Sequence, residues 1–163
     1  AADLTQRLHV TLHPQGTLVL SGIIVPGRLA SGEFYQFKQF YSQLRVQTPT
    51  QKLCFVDNAR LLGEDNRFKH SALFSGWPIM GNFVAVLPNS NLKQLAQALE
   101  DHAISRDHFQ MCSSVLPGGS GLINGLIIRA IASEVSLIKS YQRHLLSCVR
   151  QAANQPPLPA IPK

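Results

Sequence analysis

Two apolar, β-rich runs joined by a ten-residue connector constrain this chain more than any other feature. Upstream, Thr17 to Val25 reads as an almost continuous apolar strand. Downstream, Phe34 to Val46 mixes aromatic and aliphatic residues with polar ones. The connector is Val25-Pro26-Gly27-Arg28-Leu29-Ala30-Ser31-Gly32-Glu33-Phe34. Gly27 and Gly32 permit positive φ or close backbone approach, while Arg28 and Glu33 set opposite charges at its two ends. These residues predict a hairpin-like corner closed by an exposed ion pair, an interaction of small energetic weight.

The rest of the chain supplies more strands and two helices. Leu8 to Leu12 alternates as a half-buried strand turning at His13-Pro14-Gln15-Gly16, and nothing in Ala1 to Gln6 suggests order. Phe34 to Val46 also fits a helical period, but its aromatics, its end at Thr48-Pro49-Thr50 and the next strand, Leu53 to Asp57, favour a meander. Leu61 to Asn66 reads as a strand end and turn, and Ile79 to Leu87 as a buried strand. Ser90 or Asn91 caps a helix that carries Leu92, Leu95, Ala96, Leu99 and Ala103 on one face. Phe109 to Leu116 and Leu122 to Ala132 are strands around the loop Pro117 to Gly121. Ser133 caps a last helix whose apolar face includes Leu137, Ile138, Tyr141, Leu145, Cys148, Val149 and Ala152. The expected architecture is mainly β with two α-helices: meander-like or sandwiched sheets covered by two amphipathic helices. Residues 1–154 form a single β-rich domain, and 155–163 a proline-rich, extended tail.

Composition narrows the function. With 163 residues, 45% hydrophobic and only 15% charged, the chain has ample apolar surface to bury and few charges to keep it soluble alone, so a partner is expected. No apolar run approaches the roughly 18–20 residues of a membrane span, and no basic region leads into a hydrophobic segment at the start. Three widely spaced cysteines, Cys54, Cys112 and Cys148, suit a reducing compartment, which points to the cytoplasm. A net charge of +6 admits a basic β-rich nucleic-acid-binding domain as an alternative, but the cations are scattered rather than clustered. An acidic protein partner makes better use of a diffuse positive field.

Catalytic signatures fail on spacing. Ser120 lies among glycines without the G-x-S-x-G pattern, and Gly118 to Gly121 lacks the lysine of a phosphate-binding loop and leads into a strand. Glu33 and Asp57 are a candidate carboxylate pair whose separation the sequence does not set. The histidines do not converge: His9 and His13 lie on a strand and turn, His102 and His108 flank a loop, and His70 and His144 are isolated. No tightly bound cofactor is expected. Arg129, ending a buried strand, needs a charged partner, either at the connector or at another buried carboxylate. For Asp57 the plain structural reading is a strand end beside Arg60.

Gly27-Arg28-x-Ala30-x-Gly32-Glu33, with Phe34 following, resembles the signature of the UreD (UreH) family of urease accessory proteins. Leu53 to Leu61 resembles that family's next strand, and Gly118 to Arg129 its late glycine-rich turn and strand ending in arginine. The chain would correspond to the later part of the family's usual length, without the opening strands. It carries Ser21-Gly22 where relatives often have a tryptophan and an acidic residue. The resemblance implies a mostly β fold with two helices and a non-catalytic scaffold. Such a scaffold binds UreF-like and UreG-like accessory proteins and apo-urease, and assists nickel insertion. Gly27, Arg28, Ala30, Gly32, Glu33, Phe34 and Arg129 would form its structural corner, and Asp57 and Glu33 would match acidic positions on a transient nickel route.

Overall fold

In the computed structural model, residues 1–63, 70–104, 107–116, 123–156 and 158–159 are described. Among them seven strands form two sheets. One has the order β1 (Asp3–Thr11), β3 (Gln39–Gln47), β4 (Leu53–Leu62); the other β2 (Leu18–Ile24), β5 (Ile79–Val86), β7 (Gly125–Ala132), β6 (Phe109–Leu116). Three α-helices are interspersed with them: a single turn α1 (Ala72–Gly76) before β5, α2 (Leu92–Ile104) between β5 and β6, and α3 (Val135–Ala152) after β7. The mainly β expectation holds, with the strands distributed differently. Successive strands β1, β2 and β3 alternate between sheets, so the connector at Val25 to Phe34 is a crossover rather than a hairpin corner.

The core lies between the four-stranded sheet and the two long helices. Leu92, Leu95, Ala96, Leu99 and Ala103 of α2 and Ile138, Tyr141, Leu145 and Val149 of α3 are buried on Phe83, Leu126 and Ile128. Each leucine, isoleucine, valine or phenylalanine among them contributes about 1.5–3 kcal/mol when fully buried. The Tyr141 hydroxyl donates to the Leu99 carbonyl at 3.3 Å, which ties the helices together. Among the described residues the main packing of both long helices is on this sheet. Asn91 is the cap of α2, its Oδ1 accepting from the Gln94 N–H at 3.2 Å, whereas Ser90 donates to the Ala152 carbonyl. Ser133 does not cap α3; Glu134 occupies that position, and the Ser133 N–H donates to His108.

Three further expectations change. Asp3–Thr11 is one nine-residue strand, ordered by parallel pairing with β3 from Asp3↔Gln39 to Thr11↔Gln47, so Ala1 to Gln6 does not lack order. The β3 strand begins only at Gln39, because Tyr35 takes a positive φ of 53° and breaks the extended run. The β4 strand continues to Leu62, which places Asp57 mid-strand rather than at a strand end. The turn expected at Glu64 to Asn66, the glycine-rich loop at Pro117 to Gly121 and most of the proline-rich tail lie outside the described residues.

Candidate functional site

The connector is a compact knot built on its glycines. Gly27 has φ of 145°, and a Cβ there would stand 2.7 Å from the Glu33 carbonyl oxygen; Gly32 has φ of 72°. Between them Leu29–Ser31 makes one 3₁₀ turn that carries the exposed Ala30. Arg28 Nε donates to Glu33 Oε2 at 2.9 Å while its Nη2 reaches Oε1, a two-pronged pairing that fixes both ends. That guanidinium holds the Glu33 carboxyl below its ordinary range, and the carboxylate in turn raises the guanidinium's affinity for its proton. Phe34 packs edge-on against Tyr35 at 4.7 Å, and the Tyr35 N–H donates to Pro26 at 2.8 Å. Tyr35 is 1% exposed, and its hydroxyl has no partner among the described residues.

Arg129 does not reach this knot. It projects from β7 into the space between the sheets, where its Nη1 donates to Asn82 Oδ1 at 2.6 Å and its Nη2 pairs with Asp57 Oδ1. Asn82 sits directly opposite Arg129 on β5, so β5 steadies the guanidinium with which β7 holds a carboxylate of the other sheet. The expected neighbour Arg60 cannot do this, because residues three apart on a strand point to opposite faces; its Nε donates instead to Gln39. Glu33 and Asp57 are thus engaged by different arginines at separate places.

Beside this clasp, a cleft of about 500 Å³ runs between the sheets. Asp57 and Asn82 line it together with Leu4, Leu8, Ile24 and Phe40, among others. The four-stranded sheet therefore carries apolar side chains on both faces, one on the helices and one on the cleft. Ser21, at the position where the resemblance would place a tryptophan, accepts a hydrogen bond from Gln142 of α3.

The histidines converge in one place that spacing did not indicate. His102 and His144 stack at 3.6 Å across α2 and α3, and Cys148 Sγ lies 3.5 Å from His144 Nε2. Burial pushes the Cys148 thiol up, which keeps it protonated and a poor metal ligand. Among the described residues no group of three or more His, Cys, Asp or Glu side chains is arranged to hold a metal ion. No helix there is long and apolar enough to cross a membrane. The residues missed from the sequence were Asn82 and Tyr35. A lone asparagine in the apolar run Ile79–Val86 was the available signal, since a half-buried amide needs partners.

Comparison with known proteins matches this sequence to one group. The family described as UreD urease accessory protein matches residues 1–163. A urease accessory protein UreD of Trichodesmium erythraeum is 40% identical over 163 residues, 99% of this chain and 57% of the relative. The UreD of Haloarcula marismortui is 29% identical over 136 residues, covering 83% and 43%. A UreD 2 of Streptomyces griseus is 27% identical over 160 residues, covering 97% and 53%. The chain spans about half the length of these curated relatives. With the family matched from Ala1 to Lys163, including the glycine, arginine and glutamate that build the connector, the chain belongs to the UreD urease accessory protein family.

Proposed function

We propose that this chain acts as a non-catalytic scaffold in the cytoplasmic maturation of urease, binding UreF-like and UreG-like accessory proteins and apo-urease and assisting nickel insertion. The family match along the whole chain carries this reading. The geometry agrees with a structural role for the signature residues: the connector's charges close its own turn, and those of the clasp join the two sheets. Nickel is cargo here, and a cargo ion must be released, which favours separated oxygen ligands over a closed cage. Asp57 in the cleft is the better route candidate of the two carboxylates, because Glu33 lies away from the cleft lining.

Co-expression of the chain with urease subunits and accessory proteins, followed by gel filtration, tests the scaffold. Co-elution is expected, and a chain that elutes with none of them removes the reading. The route is tested by comparing two variants at matched complex yield. Asp57→Ala and Arg129→Ala both open the clasp, but only the first removes the carboxylate. A fall in urease nickel content for Asp57→Ala alone supports the route, whereas equal loading in both variants places no cargo at Asp57.

A further inference from the structure

Cations scattered along the sequence converge on one face of the three-stranded sheet. Alternation sends Phe40, Leu44 and Asp57 to the cleft, so Tyr41, Arg45 and Arg60 take the opposite face, and Arg7 of β1 joins them there. Hydrogen bonds agree with this grouping: the Tyr41 hydroxyl donates to Asn58 Oδ1 at 3.2 Å, and Gln43 Nε2 donates to the same oxygen at 3.1 Å. The polarity belongs to these strands whatever lies beyond them, because guanidinium and amide groups are costly to bury against apolar surface. We propose that this face docks a carboxylate-rich, extended segment of a protein partner. The inference goes beyond the scaffold reading, since it assigns a surface and a chemistry and needs neither urease nor nickel.

Register places the three arginines in successive rows. Arg60 lies opposite Tyr41, Arg7 beside Gln43 and Arg45 beside His9, so each row holds one guanidinium. Rows on one face repeat at about 6.7 Å, the spacing of alternate side chains in an extended chain, and neighbouring strands lie about 4.8 Å apart, within the reach of an arginine side chain. An extended segment with a carboxylate at every second residue therefore meets one guanidinium per carboxylate, and the planar fork of arginine suits that group.

The guanidinium groups are braced but not neutralised. Arg60 Nε donates to Gln39 Oε1 at 3.3 Å and Arg45 Nε to Gln47 Oε1 at 3.4 Å, amide oxygens that orient the charge without cancelling it. Among the described residues none of the three arginines forms an ion pair, and Asp3, the carboxylate at the end of this face, is taken by Lys38 at 3.1 Å. A nucleic acid fits less well. Among the described residues Tyr41 is the only phenylalanine, tyrosine or tryptophan on the face, it is half-buried with its hydroxyl tied to Asn58, and single-strand binding relies on successive stacked bases.

Fluorescence anisotropy of a labelled peptide that alternates glutamate with threonine, titrated with the chain as it stands, tests this. Saturable binding that weakens as salt rises is expected. A triple variant, Arg7→Gln with Arg45→Gln and Arg60→Gln, should bind about tenfold or more weakly. A second triple variant, Lys93→Gln with Lys139→Gln and Arg143→Gln, removes the same charge from exposed positions on the long helices and should bind as the unaltered chain does. Amide resonances of the unaltered chain give a readout that needs no variant to fold: those of β3 and β4 should shift on adding peptide, and those of α2 and α3 should not. No binding, equal weakening in the two triple variants, shifts confined to the helices, or an oligothymidylate of equal charge that binds as tightly as the peptide would overturn the proposal.

Discussion

Replacing Arg129 by methionine keeps much of its length and removes its charge, which leaves Asp57 without a cation and Asn82 without its donor. The Asp57 side chain is 20% exposed and that of Arg129 39%. The loss thus falls between that of a surface ion pair, at most about 1 kcal/mol, and that of a fully buried one, about 3–5 kcal/mol. Hydrogen bonds to charged groups contribute about 1.5–3 kcal/mol, so a cost of about 2 kcal/mol is expected for Arg129→Met. For a chain of this size that lowers the melting temperature by about 4–8 °C. Urea unfolding of Asp57→Asn, Arg129→Met and the double variant closes a cycle whose coupling energy should be about 1–2 kcal/mol. Hydrogen exchange adds a directional readout: amides of β3 and β4 should lose more protection than those of β5 and β7, because the helices still hold the latter. Additive losses, within about 0.5 kcal/mol, would refute the idea that the clasp joins the sheets.

Two further outcomes follow, one from close packing at Gly63 and one from the knot. A Cβ at Gly63 would stand 1.5 Å from the Phe37 carbonyl oxygen, so Gly63→Ala should destabilise by about 3 kcal/mol or more, and an unchanged urea midpoint would contradict the packing. Hydrogen bonds from Arg28 hold the Glu33 carboxyl below its ordinary 4.5, so its contribution to stability is present above that value and lost as pH falls through the lowered folded one. In Arg28→Gln the Glu33 resonance should titrate back up toward 4.5, and a titration that stays where it was would show that Arg28 is not the cause.

What could be read from the sequence was local, and what escaped was pairing across the chain. The face of α3 was legible because Ile138, Tyr141, Leu145 and Val149 recur at helical spacing, and all four are buried. The Leu8 end of the β1 strand was legible, but its first half, from Asp3, escaped because those residues are mostly polar and their order comes from β3, three dozen residues away, in a parallel pairing that leaves no turn signature. The stretch from Phe34 to Lys38 is rich in strand-forming aromatics, yet Tyr35 turns left-handed to close on Pro26, so tertiary packing overrides propensity. Arg129 was recognisable as an arginine in need of a carboxylate. Choosing Asp57 over Glu33 required knowing that β4 and β7 face each other, which neither strand's composition encodes.

The alternation of β1, β2 and β3 between two sheets also has a consequence during synthesis. The β2 strand leaves the ribosome long before its ladder partner exists, because Leu18 pairs with Val86 and Ile24 with Met80. At about 5–20 residues per second, Leu18, Leu20, Ile23 and Ile24 wait for on the order of several seconds without their hydrogen-bonding strand. Throughout that interval the nascent chain carries an apolar segment open to other nascent chains or a chaperone. The yield of folded protein is therefore tied to translation speed between β3 and β5, and synonymous codon changes there should alter solubility without altering a single residue.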